Sequence, residues 1–246
     1  PRSSIKLLQA FDFVFSGAAD TLQTNSERLC LACASHNSET PHVEAVSKWL
    51  RELQLADEDL VCGPAYPRIE SDFIDFIKKG APILHAHNNC SGKHTAMLAN
   101  SLHLGFETKD YAKHGGKIQN RFLQNLEFLC NKKISDTEYG IDGCGLPNYQ
   151  MTLKEMVQAH SHFLQLSKQT NTEGDAAKKI INAIQQHPYM IAGKQRLCSE
   201  IVTATQGRIV AKIGAEGTYI AMITDTDIAL ALKIHDGSFR ATEPAL

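Results

Sequence analysis

The sequence predicts an α+β fold in which an antiparallel sheet packs against a large helical region. Three observations predict it. Apolar residues recur at helical spacing along most of residues 1–197. β-rich runs joined by short turns fill residues 198–246. A four-stranded sheet needs a covered face, and those helices are what can cover it. At 246 residues the chain can form one domain with a real core, its helical part first and its sheet part last.

Each element follows from local signals. Pro1 to Lys6 opens the chain, and Leu7, Leu8 and Phe11 continue at helical spacing. A spacing of three puts Ser3 and Lys6 on one helical face. A coil-like stretch then leads to an apolar run, Leu29 to Ser35, ending in Ser35-His36-Asn37-Ser38-Glu39. Thr40-Pro41 reads as a capping hydroxyl followed by proline at the first helical position, with Val43, Val46, Trp49, Leu50 and Leu53 as the stripe. A shorter amphipathic helix over 71–79 stops at Gly80. Another begins near residue 90, runs to about His103 and stops at Gly105, and a third spans 116–130. Gly140, Gly143, Gly145 and Pro147 mark an ordered, tightly turned loop. Thr152 with Glu155 is a capping box for a helix to about Leu166, and 173–186 form one more helix, ended by Pro188. The runs at 201–205, 208–213, 218–224 and 227–234 are read as an antiparallel meander.

Composition narrows the function. The net charge is −2 and no polybasic run occurs, so neither nucleic acid nor an anionic membrane is an expected partner. The apolar runs are too short to cross a bilayer. Seven cysteines, an odd number, argue against a disulfide scaffold and for a reducing, cytoplasmic setting. Cys30 and Cys33 form a CxxC pair, but no second pair follows and their flanks are apolar, so they read as core thiols.

His87-Asn-Asn-Cys-Ser-Gly-Lys-His94 concentrates a thiol, an amine, imidazoles, carboxamides and a hydroxyl. Each of these groups needs a partner when buried, so the segment reads as a site. Cys90 and Lys93, three apart at a helix start, with Cys144 from the glycine-rich loop, make a candidate zinc set. Lysine is an uncommon ligand, because only its neutral amine has a lone pair. The rival set is His85, His87, Cys90 and His94, and the plain alternative is a helix start with capping side chains. Ser3-x-x-Lys6 can make a serine nucleophile beside a lysine base, provided the amine pKa is lowered; the alternative is a solvated helix end. Lys212, at a strand end before Gly214 and Gly217, is either an active-site lysine or a solvated hairpin residue.

Taken together, Pro1-Arg-Ser-Ser-Ile-Lys6, Cys33-Ala-Ser-His-Asn37, His87 to His94, Asp142-Gly-Cys-Gly145 and Lys212-Ile-Gly-Ala-Glu-Gly217 resemble the L-asparaginase II family of the Rhizobium etli type, along the whole chain. The resemblance implies a serine β-lactamase-like fold and hydrolysis of L-asparagine to L-aspartate and ammonia. Ser3 and Lys6 match the first Ser–Lys pair, and Ser35 the second active-site serine, with Lys212 beside it. Cys90, Lys93 and Cys144 match zinc ligands. Arg2, His94 and Asp142 fall among substrate-facing groups, with Arg2 for the carboxylate and Asp142 or Glu216 for the ammonium. Either serine is a candidate nucleophile. The expected partner is a small amino acid, and a homodimer is left open. Similar proteins carry strands before the Ser-x-x-Lys motif and extend past Leu246, so the chain reads as truncated at both ends. They also more often have an acidic residue and threonine after the arginine of the stretch Gly193 to Glu200, which is Arg196 here. The alternatives are a related serine–lysine hydrolase, of glutaminase or penicillin-binding type, and an inactive metal- or amino-acid-binding module.

Overall fold

The computed structural model describes residues 1–246. A 3-10 turn at Arg2–Ile5 leads into α1 (Lys6–Phe15), α2 (Ala18–Thr21), α3 (Ser26–Ala32), α4 (Thr40–Glu52), α5 (Glu70–Lys79), α6 (Ser91–His103) and α7 (Lys117–Cys130). A hairpin of β1 (Tyr139–Ile141) and β2 (Pro147–Tyr149) precedes α8 (Leu153–Leu166), α9 (Thr172–Gln186) and α10 (Leu197–Ala204). Then come β3 (Ile209–Gly214), β4 (Thr218–Ile223), β5 (Ala229–Lys233) and α11 (Phe239–Ala245). The α+β expectation holds.

The final sheet has three strands, not four. It is antiparallel in the order β3-β4-β5, with Lys212 opposite Ile220 and Ile220 opposite Ala231. The run 201–205 was expected to be a strand, but 201–204 lie in α10. Its β-branched residues suggest a strand only when read alone. Extended back to Leu197 and Cys198, the pattern becomes 197, 198, 201, 202, which is helical spacing, and Cys198 and Val202 point into the core. Two smaller differences are also local. The run before Ser35 is a helix, α3, capped by the Asn25 side chain accepting from Arg28 N at 2.9 Å. Helix α4 takes Glu39 as its N-cap and already includes Thr40, with no side-chain cap. The Thr152–Glu155 capping box forms as expected.

One cluster of 56 buried apolar residues joins the helices to the sheet. Helix α1 lies at its centre, packed on α6, α7 and α9, while α8 covers β4 and β5 and α10 covers β3. Cys30 and Cys33 both sit in this core, and burial pushes the Cys33 thiol up to about 12. No helix is long and apolar enough to cross a membrane.

One buried carboxylate ties the central helices together. Asp12 of α1 accepts two bonds from Arg121 at 2.9 Å, one from Asn100 at 2.7 Å and one from Asn125 at 3.0 Å. Removing it strands four donors, so Asp12→Ala is expected to cost about 3–5 kcal/mol, the range for breaking a buried pair. Urea unfolding checks this; a loss under about 1 kcal/mol would contradict it.

Candidate active site

After α3 ends, Ser35 to Glu39 runs as a loop fixed at both edges, with Ser38 in the left-handed region at φ 67°. Ser35 N donates to Ile191 O at 3.0 Å and His36 N to Asn89 O at 3.2 Å. The His36 ring spans onward, with Nδ1 accepting from Ser38 N at 3.1 Å and Nε2 2.9 Å from Ser91 Oγ. The loop thereby carries Ser35 to the start of α6. Gly92 is required where α6 packs on α3, since a Cβ there would meet Leu31 O at 2.2 Å.

Ser35 Oγ lies between two lysine amines, 3.0 Å from Lys6 Nζ and 2.8 Å from Lys212 Nζ. Lys6 comes from the first turn of α1 and Lys212 from the middle of β3, and both are fully buried. Lys6 Nζ also donates to Ala34 O at 2.5 Å and contacts Cys90 Sγ at 3.1 Å; Lys212 Nζ also donates to Ile213 O at 2.8 Å. Burial lowers the Lys6 pKa, an effect the Cys90 sulfur partly offsets. Lys212 is pushed well below the ordinary lysine range, first by burial and then by the Lys6 charge. Of the two amines, Lys212 is the one prepared to be neutral.

Ser3 stands one turn before Lys6 but makes no hydrogen bond to it, and its half-buried hydroxyl is unengaged. The backbone just ahead of it is strained: Arg2 has φ 54°, in the left-handed region that non-glycine residues avoid. Arg2 N is held by Asn148 Oδ1 at 3.2 Å, and Ser4 Oγ donates to Pro1 O at 2.6 Å. The end of β3 presses on this turn, since a Cβ on Gly214 would lie 2.8 Å from Pro1 O and 3.2 Å from Ser4 N. The turn bearing Ser3 and the strand bearing Lys212 are therefore packed together.

Cys90, Lys93 and Cys144 also converge. Lys93 Nζ is 3.4 Å from Cys144 Sγ, and a hydrogen bond between the two thiols, together with Lys6 and Lys93, holds Cys90 well below the ordinary thiol range. Burial works against charge on Lys93, but the Cys144 and Cys90 sulfurs outweigh it and raise the amine pKa. The donor set fits zinc. With Zn–S about 2.3 Å and Zn–N about 2.0–2.1 Å, a tetrahedral site separates sulfur from nitrogen by about 3.5 Å. A metal would have to displace the Lys93 proton, which makes binding pH-dependent. The histidine-rich rival is not assembled: no three His, Cys, Asp or Glu side chains gather as a metal cluster. His85 Nδ1 is engaged by Leu60 O at 2.6 Å, His87 Nδ1 accepts from Leu84 N at 3.1 Å, and His94 Nδ1 meets Tyr111 Oη at 2.7 Å.

The charged groups expected to face substrate contact one another. Arg2 Nε donates to Asp142 Oδ1 at 2.8 Å, Arg2 Nη2 lies 2.7 Å from the same oxygen, and Arg2 Nη1 is 3.5 Å from Glu216 Oε1. Burial favours the neutral Asp142 carboxyl, but Lys93 and Arg2 outweigh it and lower its pKa. Asp142 is adjacent to the β1–β2 turn, so the glycine-rich loop delivers both a carboxylate and the Cys144 thiol to the α6 start.

The structure thus gathers Lys6, Ser35, Lys212, Cys90, Lys93 and Cys144 into one linked centre, with Arg2, Asp142 and Glu216 as a second group beside the Ser3 turn. The sequence reading did not single out Tyr111 or Asn148. Tyr111 ends a short 3-10 turn and Asn148 lies in β2, and neither carries a local motif. A cavity of about 440 Å³ is lined by Ser38, Glu39, Asp72, Asp75 and Tyr189, and by none of the residues of the linked centre.

Comparison with known proteins supports the same assignment. The family model for L-asparaginase II matches residues 1–246. No curated protein matches the chain.

Proposed function

The chain belongs to the L-asparaginase II family and is an asparaginase-type amidohydrolase, and on that premise we propose that it hydrolyses L-asparagine through a Ser3 acyl-enzyme served by a Lys6–Ser35–Lys212 proton relay. The observation that carries the reading is Ser35 Oγ held between two buried amines, at 3.0 and 2.8 Å. Ser35 is 3% exposed, so a substrate carbonyl has little access to its hydroxyl. A group that is buried and bonded on two sides suits proton transfer better than attack. The unengaged Ser3 hydroxyl is open to substrate, and the strain at Arg2 is of the kind that gathers at active sites.

In this mechanism the Lys6 ammonium passes a proton through the Ser35 hydroxyl to the neutral Lys212, and the Lys6 amine so freed takes the proton of Ser3 Oγ as that oxygen attacks the side-chain carboxamide carbon. The Ser3 N–H, which in a first helical turn has no intrahelical partner, would donate to the tetrahedral oxyanion. The relay returns a proton to the leaving nitrogen and ammonia departs. Water then attacks the acyl-enzyme as its own proton enters the relay, releasing aspartate and restoring Ser3. Arg2 offers a guanidinium to the substrate carboxylate, and Asp142 and Glu216 offer carboxylates to its ammonium; before substrate arrives they pair with one another, and the group carries one net negative charge.

Cys90, Lys93 and Cys144 would hold a zinc ion. When bound, the ion would supply positive charge and, with a fourth position open, Lewis acidity. Elemental analysis of purified protein is expected to find close to one zinc per chain. Cys144→Ser is expected to lower that occupancy at least tenfold after dialysis against a mild chelator. Wild-type protein without zinc would remove the ligand assignment.

The substrate is tested by ammonia release from asparagine, glutamine and β-aspartyl amides. Preferential release from asparagine is expected. Preference for glutamine would favour the glutaminase-type alternative, and aspartate binding without any turnover would favour the inactive binding module.

A further inference from the structure

Tyr111 makes no hydrogen bond to the serine–lysine relay, yet its hydroxyl is bonded to the ring of His94. His94 lies on α6, beside Lys93 and one turn after Cys90, and is fully buried. Its Nδ1 is 2.7 Å from Tyr111 Oη, with the two rings edge to face at 5.6 Å and 89°. The same Oη accepts the Val61 N–H at 3.0 Å, and Tyr111 is 1% exposed.

Counting donors and acceptors fixes the tautomer. The Val61 N–H can only donate, so the single tyrosine hydrogen has one acceptor, His94 Nδ1. The histidine hydrogen then sits on Nε2, and that N–H is left without a protein acceptor. In the opposite tautomer two groups would be unsatisfied, the tyrosine O–H and a bare Nε2 lone pair. An unanswered buried donor is costly, and it is what a binding site presents to an acceptor on its ligand.

We propose that Tyr111 is a positioning residue that locks His94 in its Nε2–H tautomer, and that this N–H donates to a carboxylate oxygen of the bound amino acid. The tautomer follows from the hydrogen bonds alone. The identity of the acceptor rests on the amino-acid amidohydrolase reading.

The test is long-range 1H–15N spectroscopy of the imidazoles in the purified full chain, with L-aspartate as the added probe, alongside kinetics of Tyr111→Phe. The His94 signal is expected to show Nε2 protonated and Nδ1 bare, and to shift as aspartate is added. Tyr111→Phe, with folding checked by thermal melting, is expected to give a mixture of the two tautomers. It should also raise KM for asparagine about tenfold while kcat stays within about twofold. An Nδ1–H tautomer in the wild-type protein would overturn the proposal without any variant. So would a Tyr111→Phe chain with a mixed tautomer and unchanged KM, or one with raised KM and an unmoved tautomer. If the chain released no ammonia but His94 showed the Nε2–H form and responded to aspartate, the amidohydrolase reading would fail and this one would stand.

Discussion

Ser3→Ala is expected to lower kcat for asparagine by about 10⁴-fold, close to 5 kcal/mol of barrier, while leaving the fold unchanged. The hydroxyl has no structural partner to lose, so the variant should melt within about 2 °C of wild type. Ser35→Ala is expected to be slower by about 10²–10³-fold, because it interrupts proton transfer but leaves the nucleophile in place. The ordering is the informative part. If Ser35→Ala were the more damaging substitution and Ser3→Ala kept near-normal turnover, the roles of the two serines would be exchanged. Steady-state ammonia release with each variant decides it.

Lys212→Met carries the second large effect, an expected loss of about 10³-fold in kcat. The same substitution is expected to leave stability equal or higher, for a reason that can be worked through in sign. Lys212 has an ordinary pKa of 10.5 when unfolded and one well below that when folded. Between those two values the unfolded chain holds a proton that the folded chain has released. Stability therefore rises with pH across that window, and at neutral pH the buried amine is a net burden. A methionine of similar length removes that burden. Loss of activity together with a maintained melting temperature would separate a proton-relay role from simple unfolding. The same logic gives the wild-type pH profile an acidic limb, since protonating Lys212 blocks the relay. Arg196 is one of the charges that hold this pKa down, after burial and Lys6. Arg196→Gln should move the acidic limb to higher pH, and an unmoved limb would assign it to another group.

Much of this centre can be read from the sequence, for identifiable reasons. Ser3 with Lys6, and Cys90 with Lys93, are each three residues apart, so the helical repeat alone puts each pair on one face. Bringing Lys212 and Cys144 to the same place takes the whole fold. The packing of β3 on the first turn and the excursion of the β1–β2 hairpin are long-range contacts that spacing cannot give. The sequence suggested that Lys6 would pair with Ser3, its helical neighbour. In the structure its amine turns inward to Ser35, Ala34 O and Cys90, because a buried amine goes where acceptors are densest. The strand expected at 201–205 became part of α10 for a similar reason: local β-preference yielded to an apolar face that two preceding residues completed. Tyr111 left no trace in the sequence at all. It is 17 residues from His94, and its role exists only through a hydrogen bond that the fold creates.

The central claim is that Ser3 forms the acyl-enzyme and that Lys6, Ser35 and Lys212 move its proton. The most direct measurement is rapid acid quench of enzyme turning over saturating asparagine, followed by peptide mapping by mass spectrometry. Lys212→Met should be run in parallel to slow the second step. An aspartyl adduct on Ser3 is the predicted result, absent from Ser3→Ala and retained in Ser35→Ala. An adduct on Ser35, or one that survives in Ser3→Ala, would contradict the account.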